Sequence, residues 1–413
     1  MTSKFLVSVK HGLWIVLFIE FFILINPPCV INRFITFPSL IISGILIFLV
    51  FMVLFLVDSK RNMYLPKEIT VLATITSITW FLYALYHGGD ESYLTRIFFV
   101  WLTYLVLSVL YRKGLLHWFW HINNRFILVQ AGLGLLCFVL VGVGVLKPLL
   151  TVYDLGIIHR PTYFFGITFS NSLNGNIVRS AGVFDEPGAL AFWAIYALLI
   201  NYCFIKDKIV NRYLPYFTVC TLSMAFFIQI AFYAVLKNAA RLYRIVILIA
   251  FVLIAISFLK TTKDTDTDLY YYTLRRFELS DEKGFEGNNR KEQTDNAYRT
   301  FMDNPYFGIG GRKAEHLATS AAYYRISDNP YEVLAKDGIV GFFVTYLPII
   351  FIIFSGGLKN KKILIAIIVL LIGYLQRPFH INFVHYFYLW NFYLMYLLQK
   401  KHLSCDNNPK KLI

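Results

Sequence analysis

The sequence predicts an all-α polytopic membrane protein with about twelve transmembrane helices. Three observations predict it. Of 413 residues, 58% are hydrophobic and only 15% are charged, against about 25% charged in ordinary soluble domains. The apolar residues come in runs of about twenty, the length that crosses a hydrocarbon core of roughly 30 Å as a helix. Basic clusters separate those runs in the manner of the positive-inside rule.

The runs fall near residues 12–26, 38–57, 69–87, 95–111, 125–146, 188–205, 213–236, 243–259, 338–356, 363–376 and 381–398. The first follows Lys4 and Lys10 and precedes Asn26-Pro27-Pro28-Cys29. No small-residue cleavage site stands there, so the run reads as a span and not as a removed signal. The basic clusters are Lys4/Lys10, Lys60/Arg61/Lys67, Arg112/Lys113/Arg125, Lys206/Lys208/Arg212, Lys237/Arg241/Arg244, Lys359/Lys361/Lys362 and Lys400/Lys401. The short segments between them carry less charge: Arg33 in one, Asp90, Glu91 and Arg96 in another, Arg377 in a third.

Simple alternation of sides works through the sixth run and then fails. Run 213–236 has a basic cluster at both ends, so one crossing would place a cluster outside. A hairpin repairs the parity. Residues about 208–222 go out and about 224–238 return, with the turn near Ser223. The count becomes twelve, both termini are cytoplasmic, and every basic cluster is inside. The alternative is a single span that violates the rule once.

On this reading residues 1–413 form a single integral membrane domain with two polar segments outside, 147–187 and 260–337. The second holds 12 Lys/Arg and 14 Asp/Glu, and it is too long to be a simple connection. Its later part has helical character around Asn289–Met302, followed by a turn at Asp303-Asn304-Pro305. The formal net charge of +15 is explained by cytoplasmic-side basic residues. Without a separate basic module, nucleic-acid binding is disfavoured. The five cysteines form no CxxC pair and the histidines no HExxH pattern, so no disulfide framework or metal site is expected.

Three outer segments are candidates for chemistry. Arg179–Gly188 reads RSAGVFDEPG and stands just before an apolar run. Pro187 suits a first helical turn, and Asp185 or Glu186 suits the positive end of a helix. Arg179 is not explained by capping, and its planar fork suits a phosphate. Asp303–Gly311 reads DNPYFGIGG, with Arg312 and Lys313 next. Those glycines make either a tight turn or an approach for an anion to backbone amides. Ser327–Gly341 reads SDNPYEVLAKDGIVG, with carboxylates at Asp328, Glu332 and Asp337. Asp328 could act as a general base if its surroundings raised its pKa. Glu20 inside the first run, and Arg377, His380 and His385 near the last, read first as packing or interfacial residues.

RSAGVFDEPGALAFW, NPYFGIGG and DNPYEVLAKDGIVGFF, in this order, resemble the bacterial O-antigen polymerase (Wzy-type) and O-antigen ligase superfamily. The resemblance covers residues of about 125 to 400 in layout and is sharp over about forty. It implies a GT-C-like glycosyltransferase of the bacterial cytoplasmic membrane that needs no metal or other cofactor. The implied donor is an oligosaccharide on undecaprenyl pyrophosphate, and the acceptor is a sugar hydroxyl. A chain-length regulator is a possible protein partner. By position, Arg179 matches the arginine of the first motif and Glu186 the acidic residue before its proline. Asp328-Asn329 falls where many relatives have His-Asn, which weakens the ligase reading. Ser223-Met224 falls where many have Ser-Arg at the tip of a helix hairpin. Arg160, Arg312 or Arg325 are the candidates to supply the missing cation. The implied catalytic residues are therefore Arg179, Glu186 and Asp328. The implied substrate-binding residues are Arg160, Arg312, Arg325, Asn329 and Tyr331. A ligase and a flippase for the same lipid-linked glycan are the rival readings.

Overall fold

A computed structural model of the chain describes residues 65–154, 158–163, 167–171, 178–184, 186–238, 279–280, 284–285, 291–320, 326, 329–376 and 383–406. The runs expected at 12–26, 38–57 and 243–259 lie outside these residues. The helices are α1 (Lys67–Tyr86), α2 (Glu91–Arg112), α3 (Leu116–Gly142), α4 (Pro187–Ile200), α5 (Lys208–Phe217), α6 (Met224–Asn238), α7 (Lys291–Asp303), α8 (Gly311–Ser320), α9 (Glu332–Thr345), α10 (Leu347–Phe354), α11 (Lys361–Gln376) and α12 (Phe383–Asp406). Five helical stretches among the described residues are long and apolar enough to cross a membrane. They are α1, α2, α3, Pro187–Ile205 and Glu332–Phe354.

Local chemistry sets the boundaries. Asp90 begins α2 by accepting a hydrogen bond from the Ser92 amide at 3.0 Å, an N-cap that satisfies one of the helix's orphan donors. Pro187 opens α4 at its first position, where a missing N–H has no consequence. Every residue of α4 from Ala189 to Ile200 is buried, which explains why its sequence is apolar on all sides. Packed around it are α3, α5, α6 and α11.

The hairpin inferred from charge parity is present. α5 is followed by a 3-10 turn over Thr218–Thr221. Leu222 then adopts a left-handed conformation at φ 46°, and α6 returns from Met224. The tip is buried: Thr221 is inaccessible and Ser223 is 5% exposed. At about 1.5 Å per residue, the 15 residues of α6 span only about 22 Å. The legs are therefore short against a bilayer core of about 30 Å.

Tracing the helices end to end shows a polarised bundle. Arg125, in the third turn of α3, binds Asp207, just before α5, at 2.6 Å. The Cys203 thiol, past α4, donates to the Lys362 carbonyl at the start of α11. The Tyr396 hydroxyl, late in α12, donates to the Ser355 carbonyl after α10. These contacts gather Arg112, Lys113, Lys208, Lys237, Lys362 and Lys400 at one end. The starts of α2, α4, α8 and α9 lie at the other.

The all-α expectation needs one correction. Segment 147–187 folds into an antiparallel sheet of four strands in sequence order, β1 (Leu150–Asp154), β2 (Ile158–Thr162), β3 (Thr168–Asn171) and β4 (Val178–Gly182). The strands are rich in Thr, Val, Ile, Phe and Tyr, residue types that fit a pleated surface. β4 packs on α3, on α4 and on the hairpin tip. In the long polar segment 260–337, α7 forms where helical character was expected, and the turn follows at Asn304. A two-residue pairing of β5 (Leu279–Ser280) with β6 (Gly284–Phe285) precedes it.

Candidate functional site

The second and third motifs are one structural unit. The Ile309 and Gly310 amides donate to the carbonyls of Ala335 and Lys336 at 3.1 and 2.9 Å. In return the Ile339 and Val340 amides donate to Pro305 and Tyr306 at 2.8 and 3.3 Å. At the crossing, Gly308 and Gly338 both take φ 65°. A Cβ on Gly308 would collide with the backbone of Lys336 and Asp337, and one on Gly338 with the backbone of Tyr306 and Phe307. The glycines of both motifs thus allow two backbones to touch.

Asp337 fixes this crossing to the bundle. Its carboxylate meets Arg96 Nη1 at 2.7 Å and accepts the Tyr93 hydroxyl at 2.9 Å. Its carbonyl accepts the Tyr83 hydroxyl at 2.7 Å. Both charged side chains are wholly inaccessible. The Arg96 guanidinium also lies 4.7 Å from the ring centres of Trp80 and Tyr93, a favourable place for a desolvated cation.

Against this unit lies a cavity of about 600 Å³, in the size range of small-ligand sites. Tyr86, His87 and Asp90 from the α1–α2 turn line one side, and Arg312, Lys313 and His316 of α8 the other. The glycine-rich turn does present an amide to an anion, but the anion is internal. The Arg312 amide donates to the Asp90 carboxylate at 2.8 Å. Burial pushes the Asp90 carboxyl up, but hydrogen bonds from the Arg312 and Ser92 amides and the charge of Arg96 leave it below its ordinary value. A depressed folded pKa means stability that is complete above the ordinary carboxylate range and is lost as pH falls through the folded value. Because Asp90 caps both α2 and α8, Asp90→Ala should lower stability by about 1–3 kcal/mol. Thermal unfolding in neutral detergent checks this, and a variant melting like the parent would show that the two caps do not matter.

With its amide engaged by Asp90, Arg312 presents an exposed side chain to the cavity beside Lys313. His87 Nε2 lies 3.2 Å from the Phe307 carbonyl, so that nitrogen carries the ring proton. Tyr86 and Phe307 at the rim are exposed, with ring centres 4.9 Å apart.

The other expected residues fall elsewhere. Arg179 is on β4, half-buried, and its Nε donates to the Thr221 carbonyl at the hairpin tip at 3.1 Å. Glu186 holds the N-cap position of α4 but makes no side-chain capping bond. Asn329 is buried, donates to the Ile326 carbonyl at 2.9 Å and accepts the Tyr331 amide at 2.9 Å. It shapes the entry to α9. Tyr331 is half-buried against Tyr298, with ring centres 5.3 Å apart. Arg160 lies on β2, paired with Val152 of β1. Asp328, Arg325, Asp185, Arg377 and His380 lie outside the described residues, as does Glu20. His385 is buried beside the Thr345 carbonyl at 3.2 Å, a packing role.

Sequence reasoning missed Arg96, His87, Asp90 and His316. Arg96 offered a signal, since it lies six residues into a helix otherwise apolar in its middle. An arginine so placed implies a buried partner.

No family model, curated protein or solved structure matches the chain.

Proposed function

We propose that the protein polymerises lipid-linked polysaccharide repeat units at the outer face of the bacterial cytoplasmic membrane, as a GT-C-like enzyme of about twelve spans. It transfers a glycan from undecaprenyl pyrophosphate to a sugar hydroxyl. The observation that carries this reading is the cavity in which Arg312 and Lys313 stand beside His87, His316 and Asp90, at the bundle end opposite the basic clusters. Its charge suits a diphosphate, its position suits a donor anchored in the bilayer, and the Tyr86–Phe307 rim offers faces on which sugar rings can stack.

In the reaction a base removes the acceptor hydroxyl proton, and the freed oxygen attacks the anomeric carbon. The carbon–oxygen bond to the pyrophosphate breaks as the new glycosidic bond forms. One direct displacement inverts the anomeric centre, and undecaprenyl pyrophosphate leaves. Arginine and lysine stabilise the charge that develops on it, in the role of a fixed electrostatic clamp. Asp328 is the proposed base. Arg179 and Glu186, which lie apart from the cavity on β4 and at the start of α4, are proposed to act on the same substrate.

The test is surface glycan on a gel from a deletion strain carrying variants at parental protein levels. Arg179→Ala, and Arg312→Ala with Lys313→Ala, should each reduce the ladder to single repeats, a loss of about 10²–10³ in rate. Arg179→Lys controls for support of the hairpin tip. Normal ladders from the Arg312/Lys313 variant would remove the cavity from the site. Retained lipid-linked ladder without attached polymer would indicate a ligase. Lipid-linked units trapped inside the cell would indicate a flippase.

A further inference from the structure

Two helices give separate measures of where the bilayer core ends. α1 carries no charged residue from Ile69 to Tyr86. At about 1.5 Å per residue that stretch is about 27 Å long, close to a core of roughly 30 Å. Tyr86 therefore stands at its far edge. The chain through α9 and α10 carries no charged residue from Ile339 to Leu358, about twenty residues and again the length of a span. Just before that stretch come Glu332, Lys336 and Asp337, then the backbone break at Gly338. Ile339 therefore stands at an edge too. The two edges meet in space, since the Tyr83 hydroxyl of α1 donates to the Asp337 carbonyl at 2.7 Å.

The turn at Pro305-Tyr306-Phe307 lies at that edge. The Ile339 and Val340 amides donate to the Pro305 and Tyr306 carbonyls at 2.8 and 3.3 Å. The Phe307 ring lies 4.9 Å from that of Tyr86. Yet Tyr306 is 68% exposed and Phe307 41%. On one side of them Leu82, Leu85 and Tyr86 of α1 are exposed, and on the other Ile339 and Phe343 of α9. Exposed apolar faces of spanning helices suit acyl chains, and the aromatic turn continues that surface.

α7 leads to the turn with a matching gradient. Lys291, Asp295, Tyr298 and Met302 recur at helical spacing on one exposed face. The face begins charged and ends apolar, in the direction of Tyr306. A helix wholly in water has no need of that change, whereas one whose last turn meets a membrane surface does. Arg299 and Asp303, also exposed, flank the apolar end and suit a headgroup layer.

We propose that Met302, Tyr306 and Phe307 form an interfacial anchor, seated in the headgroup layer of the leaflet opposite the basic clusters. Tyrosine concentrates at that level because its ring suits the apolar side and its hydroxyl the wet side. The partner is the bilayer surface itself, engaged by apolar contact and not by charge. Asn304, Gly308 and Ile309, on either side of the anchored residues, line the cavity. The anchor therefore holds the cavity at the depth of the headgroups, whatever ligand the cavity takes.

The test places the photoreactive residue p-benzoylphenylalanine at single positions of the full chain, reconstituted in phosphatidylcholine nanodiscs. After irradiation, peptide mass spectrometry identifies what each position has bonded to. Positions 302 and 306 should carry phospholipid adducts, as should position 343 on α9. Position 295, at the charged end of the same α7 face, should carry none. Tyr306→Asp should abolish the adduct at 302 and leave the one at 343, which reports a folded span. Tyr306→Trp should keep both. Bonds from 302 and 306 to the chain itself or to a second copy, or none at either while 343 bonds to lipid, would overturn the anchor. An adduct at 302 that survives Tyr306→Asp would show that the turn holds nothing at the surface. The assay involves no glycan donor, so its outcome is separate from that of the proposed transfer.

Discussion

Asp337→Ala is expected to destabilise the protein by about 3–5 kcal/mol, because it leaves the Arg96 charge buried without its counter-ion. Neither side chain reaches solvent, so water cannot replace the lost carboxylate. The Tyr93 hydroxyl loses its acceptor in the same step. Thermal unfolding in detergent and the yield of folded protein both read this effect. A companion variant separates charge from shape. Arg96→Met with Asp337→Leu removes both charges and should recover much of the loss, since a buried pair is often replaceable by apolar side chains of similar volume. If Asp337→Ala melts like the parent, Arg96 has another partner and the pair is not what holds α9 to α2.

Gly308→Ala and Gly338→Ala should be comparably severe. At φ 65° a side chain costs about 1–2 kcal/mol in backbone conformation alone. The added methyl then meets backbone atoms, which cannot swing aside as a flexible side chain would. Forced separation of two packed segments adds about 1–3 kcal/mol. Hydrogen exchange at the Ile309 and Ile339 amides is the sensitive readout, since both cross the junction. Faster exchange at these amides, with α4 unchanged, is the expected result. Parental protection would show that the crossing tolerates a methyl group.

The long apolar helices were legible because hydrophobic length and flanking charge are one-dimensional signals. The hairpin is the best case: two basic clusters flanking run 213–236 implied a turn near Ser223, and the turn lies at Thr218–Ser223. The sheet was not legible, because its strands are only four or five residues long and offer no periodic run to announce them. The glycines of NPYFGIGG and KDGIVG stood out as special positions, but their cause is a contact between segments thirty residues apart. The cavity was half-legible. Arg312 and Lys313 follow a motif, whereas His87 and Asp90 come from a turn about 220 residues earlier and carry no local mark of that meeting.

The Arg96–Asp337 pair spans 241 positions of sequence, and that distance has a consequence for biogenesis. At a synthesis rate of roughly 5–20 residues per second, α2 is made about 12–48 seconds before its counter-charge exists. For that interval the arginine has to be sheltered. It lies within the first two turns of α2, so its long side chain can reach toward the polar end of the helix while it waits. The buried pair can form only once α9 is in place, so its closure depends on delivery of the chain as far as Asp337.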